Sequence, residues 1–210
     1  RVIKFVPASG AATRMFKKQL STIVKYENPD IQKIKMLSEK GDEDCKATLD
    51  FIQNIQRFAF YNELKKKVET SGKKIDDLLA NENVSDMIRF VTEDIGLNYA
   101  NLPKGCILFH FYPEGSRTAF EEHLVEAMNY AADKNKVIKV HFTISPEHEA
   151  EIKKLFSSLI ENYREQGWKF DVGFSFQSPS TDTASVTMDN KLFRDEKGEI
   201  VFRPGGHGAL

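Results

Sequence analysis

The stretch from Lys136 to Gln177 constrains the fold most. Val137-Ile138-Lys139-Val140-His141-Phe142-Thr143 is a β-branched, alternating run that ends at Ile144, the pattern of a strand. A helix start follows, with Ser145 as N-cap, Pro146 at the first helical position, and Glu147 and Glu149 in the first turn. That helix runs to about Gln166 and closes at Gly167, and Phe170 to Gln177 is a second strand. Two strands joined through one long helix form a parallel pair, because the crossover returns the chain in the same direction. The chain opens on a similar unit. Val2-Ile3-Lys4-Phe5-Val6-Pro7 reads as a central strand, feeding a loop of small residues, Ala8-Ser9-Gly10-Ala11-Ala12, and then Thr13-Arg14 at a helix start. Arg117 to about Asp133 reads as a further helix, with Phe120, Leu124, Ala127, Met128 and Ala131 on one face. The expected class is α/β, with a mainly parallel sheet covered on both faces.

Between these parts lies a helical insertion at about residues 28–98. Asn28-Pro29-Asp30 breaks the first helix, which runs from Arg14 to about Lys25, and no convincing strand follows before Ile95. Val84, Met87, Ile88, Val91 and Ile95 keep helical spacing. The basic runs Lys65-Lys66-Lys67 and Lys73-Lys74 lie among balancing acids and read as solvated faces. Beyond the second strand, Asp189-Asn190 and Asp195-Glu196-Lys197-Gly198 read as turns between short strands that end at Val201-Phe202.

Charge and cysteine usage exclude several classes of function. With 30 basic and 31 acidic residues in 210, the formal charge of −1 leaves no basic footprint for nucleic acid. Cys45 and Cys106 are isolated and have no metal-type spacing, which points to a reducing compartment. No apolar run approaches a membrane span, and the expected location is cytoplasmic. The chain begins at Arg1 and stops at Leu210 directly after a glycine-rich motif, so a fragment of a longer protein is expected.

In parallel sheets, ligands sit beyond the carboxyl ends of the strands. Four such ends are expected on one rim: the Ser9–Arg14 loop, Thr143-Ile144-Ser145-Pro146-Glu147-His148, Gln177-Ser178-Pro179-Ser180, and Arg203-Pro204-Gly205-Gly206-His207-Gly208. All are polar or glycine-rich, which suits a polar, phosphorylated ligand. Small residues let a backbone approach phosphate at a helix start, and Arg14 adds a fixed cation with fork geometry. Small residues at such a turn also arise from close packing of helix on sheet, and both readings stand at this point.

Five motifs in one order carry a resemblance. Ala8-Ser9-Gly10-Ala11-Ala12-Thr13-Arg14, Pro103-Lys104-Gly105, Thr143-Ile144-Ser145 with His148, Phe174-Ser175-Phe176-Gln177, and Pro204-Gly205-Gly206-His207-Gly208 resemble the UDP-sugar pyrophosphorylase group of nucleotidyltransferases. The whole chain is similar to an uncharacterised bacterial domain family that shares this pattern. The resemblance implies a Rossmann-like fold of the nucleotide-diphospho-sugar transferase type, with residues 1–210 a fragment of one such domain carrying the helical insertion. It implies transfer of a nucleotidyl group from a nucleoside triphosphate, UTP above all, to a sugar 1-phosphate. Arg14 and Lys104 would be the catalytic cations; Ser9, Gly10, Ala11, Ala12 and Thr13 would wrap the phosphates. Gln177 would read the base edge, with Gly205, Gly206 and His207 packed by base and ribose. Mg2+ is the implied cofactor, with its ligands beyond Leu210 and none in this chain. Ser9 and Ala12 stand where that group has glycine. The alternatives are a non-catalytic module that binds nucleotide or sugar phosphate on the same fold, and a structural or assembly domain.

Other candidates carry less. His110, His123, His141 and His148 show no metal spacing, and His141, alternating with apolar neighbours, reads as a hydrogen-bonded structural residue. Arg117 at a helix start is either a second anion contact or half of a salt bridge. Ser180-Thr181-Asp182-Thr183 reads as an Asx or Ser/Thr turn, with a ribose or metal role as the alternative.

Overall fold

A computed structural model describes residues 2–80 and 83–203. In chain order its elements are β1 (Lys4–Pro7), α1 (Lys17–Lys25), α2 (Ile31–Glu39), α3 (Glu43–Gln53), α4 (Tyr61–Thr70), α5 (Ile75–Ala80), α6 (Val84–Thr92), β2 (Leu108–Tyr112), β3 (Gly115–Thr118), α7 (Ala119–Tyr130), β4 (Val137–Ile144), α8 (Glu149–Glu165), β5 (Lys169–Phe176), β6 (Thr183–Ala184) and β7 (Phe202–Arg203). The fold is mixed α/β, and the chain divides into two compact units, Arg1–Gly10 with Phe120–Leu210, and Ala11–Ala119.

The first unit is built on a three-stranded parallel sheet of order β1-β4-β5. Its middle strand alternates strictly: Ile138, Val140, Phe142 and Ile144 are buried, whereas Val137, Lys139, His141 and Thr143 are half-buried. Phe142 packs against Phe120 of α7 at 5.3 Å, Phe156 of α8 at 4.8 Å and Phe174 of β5 at 6.2 Å between ring centroids. Both helices therefore lie on one face, not one on each as the sequence predicts. The reason is topological. Crossovers are right-handed, so strands added in one direction carry their helices on the same side, and the second face is covered only after the strand order reverses. Among the described strands the order does not reverse, and β1 is an edge strand where the sequence reads a central one. The last expected strand, β7, does not join this sheet but pairs antiparallel with β6 in a separate ladder. Gly167 closes α8 as expected, at φ +85°, a conformation that favours glycine.

Among its described residues the second unit is helical apart from the β2–β3 hairpin, whose end at Arg117–Thr118 the sequence reads as the start of a helix. Phe16, Phe51, Ile55, Phe60, Leu64, Met87 and Val91 form its main core. Asp30 caps α2 through the amide of Lys33 at 2.7 Å, and Asn83 caps α6 through Asp86. Asp42 does more. Its carboxylate caps α3 at the amides of Asp44 and Cys45 and accepts from Lys25 Nζ at 2.8 Å and from the Tyr26 hydroxyl at 2.5 Å. These donors, Lys25 first, hold the Asp42 carboxyl well below its usual range. The lysine runs are solvated, as expected: Lys66 pairs with Glu63 and Lys73 with Asp86 on exposed faces.

Phe142→Ala is expected to cost about 3–5 kcal/mol in chemical denaturation, since three neighbouring rings lose their partner. A carboxyl whose folded pKa is depressed contributes stability that is present above its unfolded pKa, about 3.9, and lost as pH falls below it. Asp42→Asn, which keeps a capping oxygen but removes the charge, is thus expected to be less stable than the native chain at pH 7, with the gap closing below about pH 4. Urea midpoints measured at several pH values check this.

Candidate functional site

Parallel pairing puts the carboxyl ends of β1, β4 and β5 on one rim of the first unit. The register places Phe5 beside His141 beside Gly173, then Pro7 beside Thr143 beside Ser175, on the sheet face opposite Phe142. One step further along come Ser9, Ser145 and Gln177. Ser9 Oγ donates to Gln177 Oε1 at 2.5 Å, and Ser145 Oγ donates to the Ser9 carbonyl at 3.0 Å. The amide of Ala8 donates to the Thr143 carbonyl at 2.7 Å and that of Gln177 to the Ile144 carbonyl at 3.3 Å. Ser9 is thereby held through both side chain and backbone.

Behind this rim the polar row continues. Ser175 Oγ lies 2.9 Å from His141 Nε2 and 3.1 Å from Thr143 Oγ1, and the His141 ring stacks on Phe5 at 5.4 Å. Glycine at 173 leaves room for that ring: a Cβ there would lie 2.7 Å from His141 Nδ1. His141 is the hydrogen-bonded residue that its strand position implies. Ser145 plays a different part from the expected one. Pro146–His148 form a 3-10 turn, α8 begins at Glu149, and the Ser145 hydroxyl holds the Ser9 loop instead of capping a helix.

The second unit begins with the rest of the small-residue loop. Ala11 forms an antiparallel bridge with Pro103, Ala12 N–H donates to the Leu102 carbonyl at 3.0 Å, and Thr13 Oγ1 donates to the Ala100 carbonyl at 2.7 Å. Ala12 is fully buried and, with Phe16, belongs to the core of this unit. The loop is thus docked along residues 100–103, directly before Lys104, across some ninety intervening residues of helix. Among the described residues neither the side chain of Arg14, which is exposed, nor that of Lys104, which is half-buried, has a hydrogen-bond or ion-pair partner. A short 3-10 turn, Thr13–Phe16, precedes α1 and carries Arg14.

The candidate residues therefore fall into separate groups. Ser9 and Gln177 are in contact in the first unit; Ala11, Ala12, Thr13 and Arg14 lie along the segment that leads to Lys104 in the second. Gly10 ends the first unit's opening segment, and Gly205, Gly206 and His207 lie outside the described residues. Arg117 stands on β3, donates to Glu114 at 2.9 Å and covers the Tyr112 ring at 4.2 Å, the salt-bridge reading of that residue. Ser178, ahead of the expected turn, accepts from the amide of Ser180 and caps a 3-10 turn over Pro179–Thr181. Ser145 and Ser175 were not singled out as site residues. Their signal was the two-residue period that aligns them with Thr143 and Gln177.

A family model, a domain of unknown function (DUF4301), matches residues 1–210. The chain belongs to that family. Neither a curated protein nor a solved structure matches this DUF4301 domain. Among its described residues no helix is long and apolar enough to cross a membrane.

In this DUF4301 domain, Ser9→Ala and Ser145→Ala are each expected to cost about 1 kcal/mol, the usual worth of one hydrogen bond. Because both bonds hold the same residue, the double variant should cost less than the sum, which a double-mutant cycle by urea denaturation checks.

Proposed function

We propose that the DUF4301 domain has the Rossmann-like architecture of the nucleotide-diphospho-sugar transferases and acts as a sugar nucleotidyltransferase on UTP and a sugar 1-phosphate. One observation carries this reading: the small-residue loop is docked against residues 100–103, so that Arg14 and Lys104 belong to neighbouring segments and both lack a protein counter-charge. Unpaired cations held beside an anchored loop are what a polyphosphate requires, since ion pairs within the protein would have to break before it bound. The chemistry is in-line displacement. An oxygen of the sugar 1-phosphate bonds to the α-phosphorus while the α–β bridging bond breaks and pyrophosphate departs. In the second unit, Arg14 offsets charge on the departing pyrophosphate and Lys104 holds phosphate near the reacting centre; in the first unit, Ser9 orients Gln177, to which the resemblance gives the reading of the base. The protein supplies positioning and electrostatics, with no covalent step of its own. Both substrates are cytoplasmic metabolites, and we assign the domain to that compartment.

Mg2+ is the cofactor of this reading and would offset charge on the triphosphate. Among the described residues no group of three or more His, Cys, Asp or Glu could hold a metal ion. A second reading, a module that binds nucleotide without turnover, draws on Ala12. Its N–H is engaged by Leu102 and its methyl is buried, so the backbone wrap of phosphate is weaker than a glycine loop provides.

Thermal denaturation with UTP, TTP, CTP, ATP and GTP, with and without Mg2+, tests both readings. UTP at 100 times its dissociation constant is expected to add about 2.7 kcal/mol, or about 5–10 °C for a chain of this size. The shift should fall in Arg14→Ala and Lys104→Ala. Pyrophosphate release on adding a sugar 1-phosphate supports the transferase; a UTP shift without release supports the binding module. No shift with any triphosphate overturns both.

A further inference from the structure

The second unit contains a cavity of about 640 Å³ that the phosphate chemistry does not use. Its wall is aromatic. Phe51 lies 5.1 Å from Phe58, and Phe58 stacks on Phe60 at 5.1 Å and 19°, so the rings brace one another and present a fixed surface. Ala47 and Ala59 also line it, and their small side chains leave the space open. Met15 and Phe109, 43% and 56% exposed, stand at its edge, accessible to an incoming molecule. A volume of this order, mostly apolar with few polar groups, is the usual form of a small-molecule site.

Two observations define the occupant. Gln19 lines the cavity and is 8% exposed, yet its Oε1 has no hydrogen-bond partner, and its Nε2 reaches only the Ala47 carbonyl at 3.5 Å, the outer limit of such a bond. The Ala47 carbonyl can only accept, so the amide nitrogen must face it and the orphaned atom is the oxygen, an acceptor in need of a donor. The amide is held only by that one long contact. Among the described residues the lining contains no Lys or Arg, and its one ionisable group is Asp50. Phosphates and other anions are disfavoured here. We propose that this cavity binds a neutral or cationic fused-ring aromatic molecule whose N–H donates to Gln19 Oε1, the ring lying against Phe51, Phe58 and Phe60. The site is separate in chemistry from the nucleotide reading and does not depend on it.

Indole and 1-methylindole are the probes, differing by the N–H. Titration into the full chain, followed by the methyl signal of Met15 in carbon-labelled protein, is expected to give a saturable shift with indole and binding about tenfold weaker with 1-methylindole, for the loss of one hydrogen bond. Gln19→Leu should bring the two probes level, and Ala47→Phe, which fills the cavity, should remove both shifts. If the filled variant does not fold, the Gln19→Leu comparison decides alone. No saturable shift at Met15 with indole at millimolar concentration overturns the proposal, as does equal binding of the two probes to the native chain.

Discussion

Strand β4 divides the first unit into two chemistries. Its period of two sends Ile138, Val140, Phe142 and Ile144 to a dry side, where Phe142 meets rings from α7, α8 and β5, and sends Lys139, His141 and Thr143 to the other. A shift of one residue would exchange these faces, so burial of the Phe142 side fixes the register of both neighbouring strands. Everything polar in this unit follows. Because β1 and β5 run parallel to β4, their carboxyl ends meet its own, and the carbonyls of Thr143 and Ile144 take up the backbones of Ala8 and Gln177 as they leave the sheet. Ser9, Ser145 and Gln177 are thus assembled from three distant parts of the chain by one constraint, apolar burial on the far side of the sheet.

In the second unit a different trade is made. Where the pyrophosphorylase pattern has glycine, Ala12 puts a methyl into a core and an N–H onto Leu102. The loop gains an anchor and gives up a backbone donor. What it presents instead is side-chain charge, Arg14 from its own turn and Lys104 from the segment it is bridged to. Guanidinium and ammonium groups bind oxyanions by charge with less demand on close backbone approach, which is what the proposed phosphate role would draw on in place of a glycine cradle. Among the described residues, the aromatic cavity in the same unit has no cation in its lining.

Much of the secondary structure was legible in residue order. Strand β4, helix α8, the glycine at its end and strand β5 follow from periodicity and turn chemistry within single windows. So does the break at Asn28-Pro29-Asp30, where Glu27 and Asn28 adopt positive φ and Asp30 caps α2. The errors came where a residue had local and distant options. Ser145 stands where an N-cap belongs, but the Ser9 carbonyl, 136 positions away in sequence, claims its hydroxyl. Arg117, expected at a helix start, stands on a strand of the hairpin, with Glu114 as its salt-bridge partner and the Tyr112 ring beneath it.

Local sequence decided which segments are strand or helix and which residues have the chemistry for oxyanions, because those properties depend on spacing of a few residues and on side-chain type. It also decided that β4 and β5 run parallel, since one helix joins them. Tertiary structure alone decided which face the helices cover, that β1 lies at an edge, that the loop after it docks beside Lys104, and that Gln19 is left with an unmet acceptor among aromatic rings. Each of these depends on segments far apart in the chain. Their energies come from packing and pairing that no local window contains.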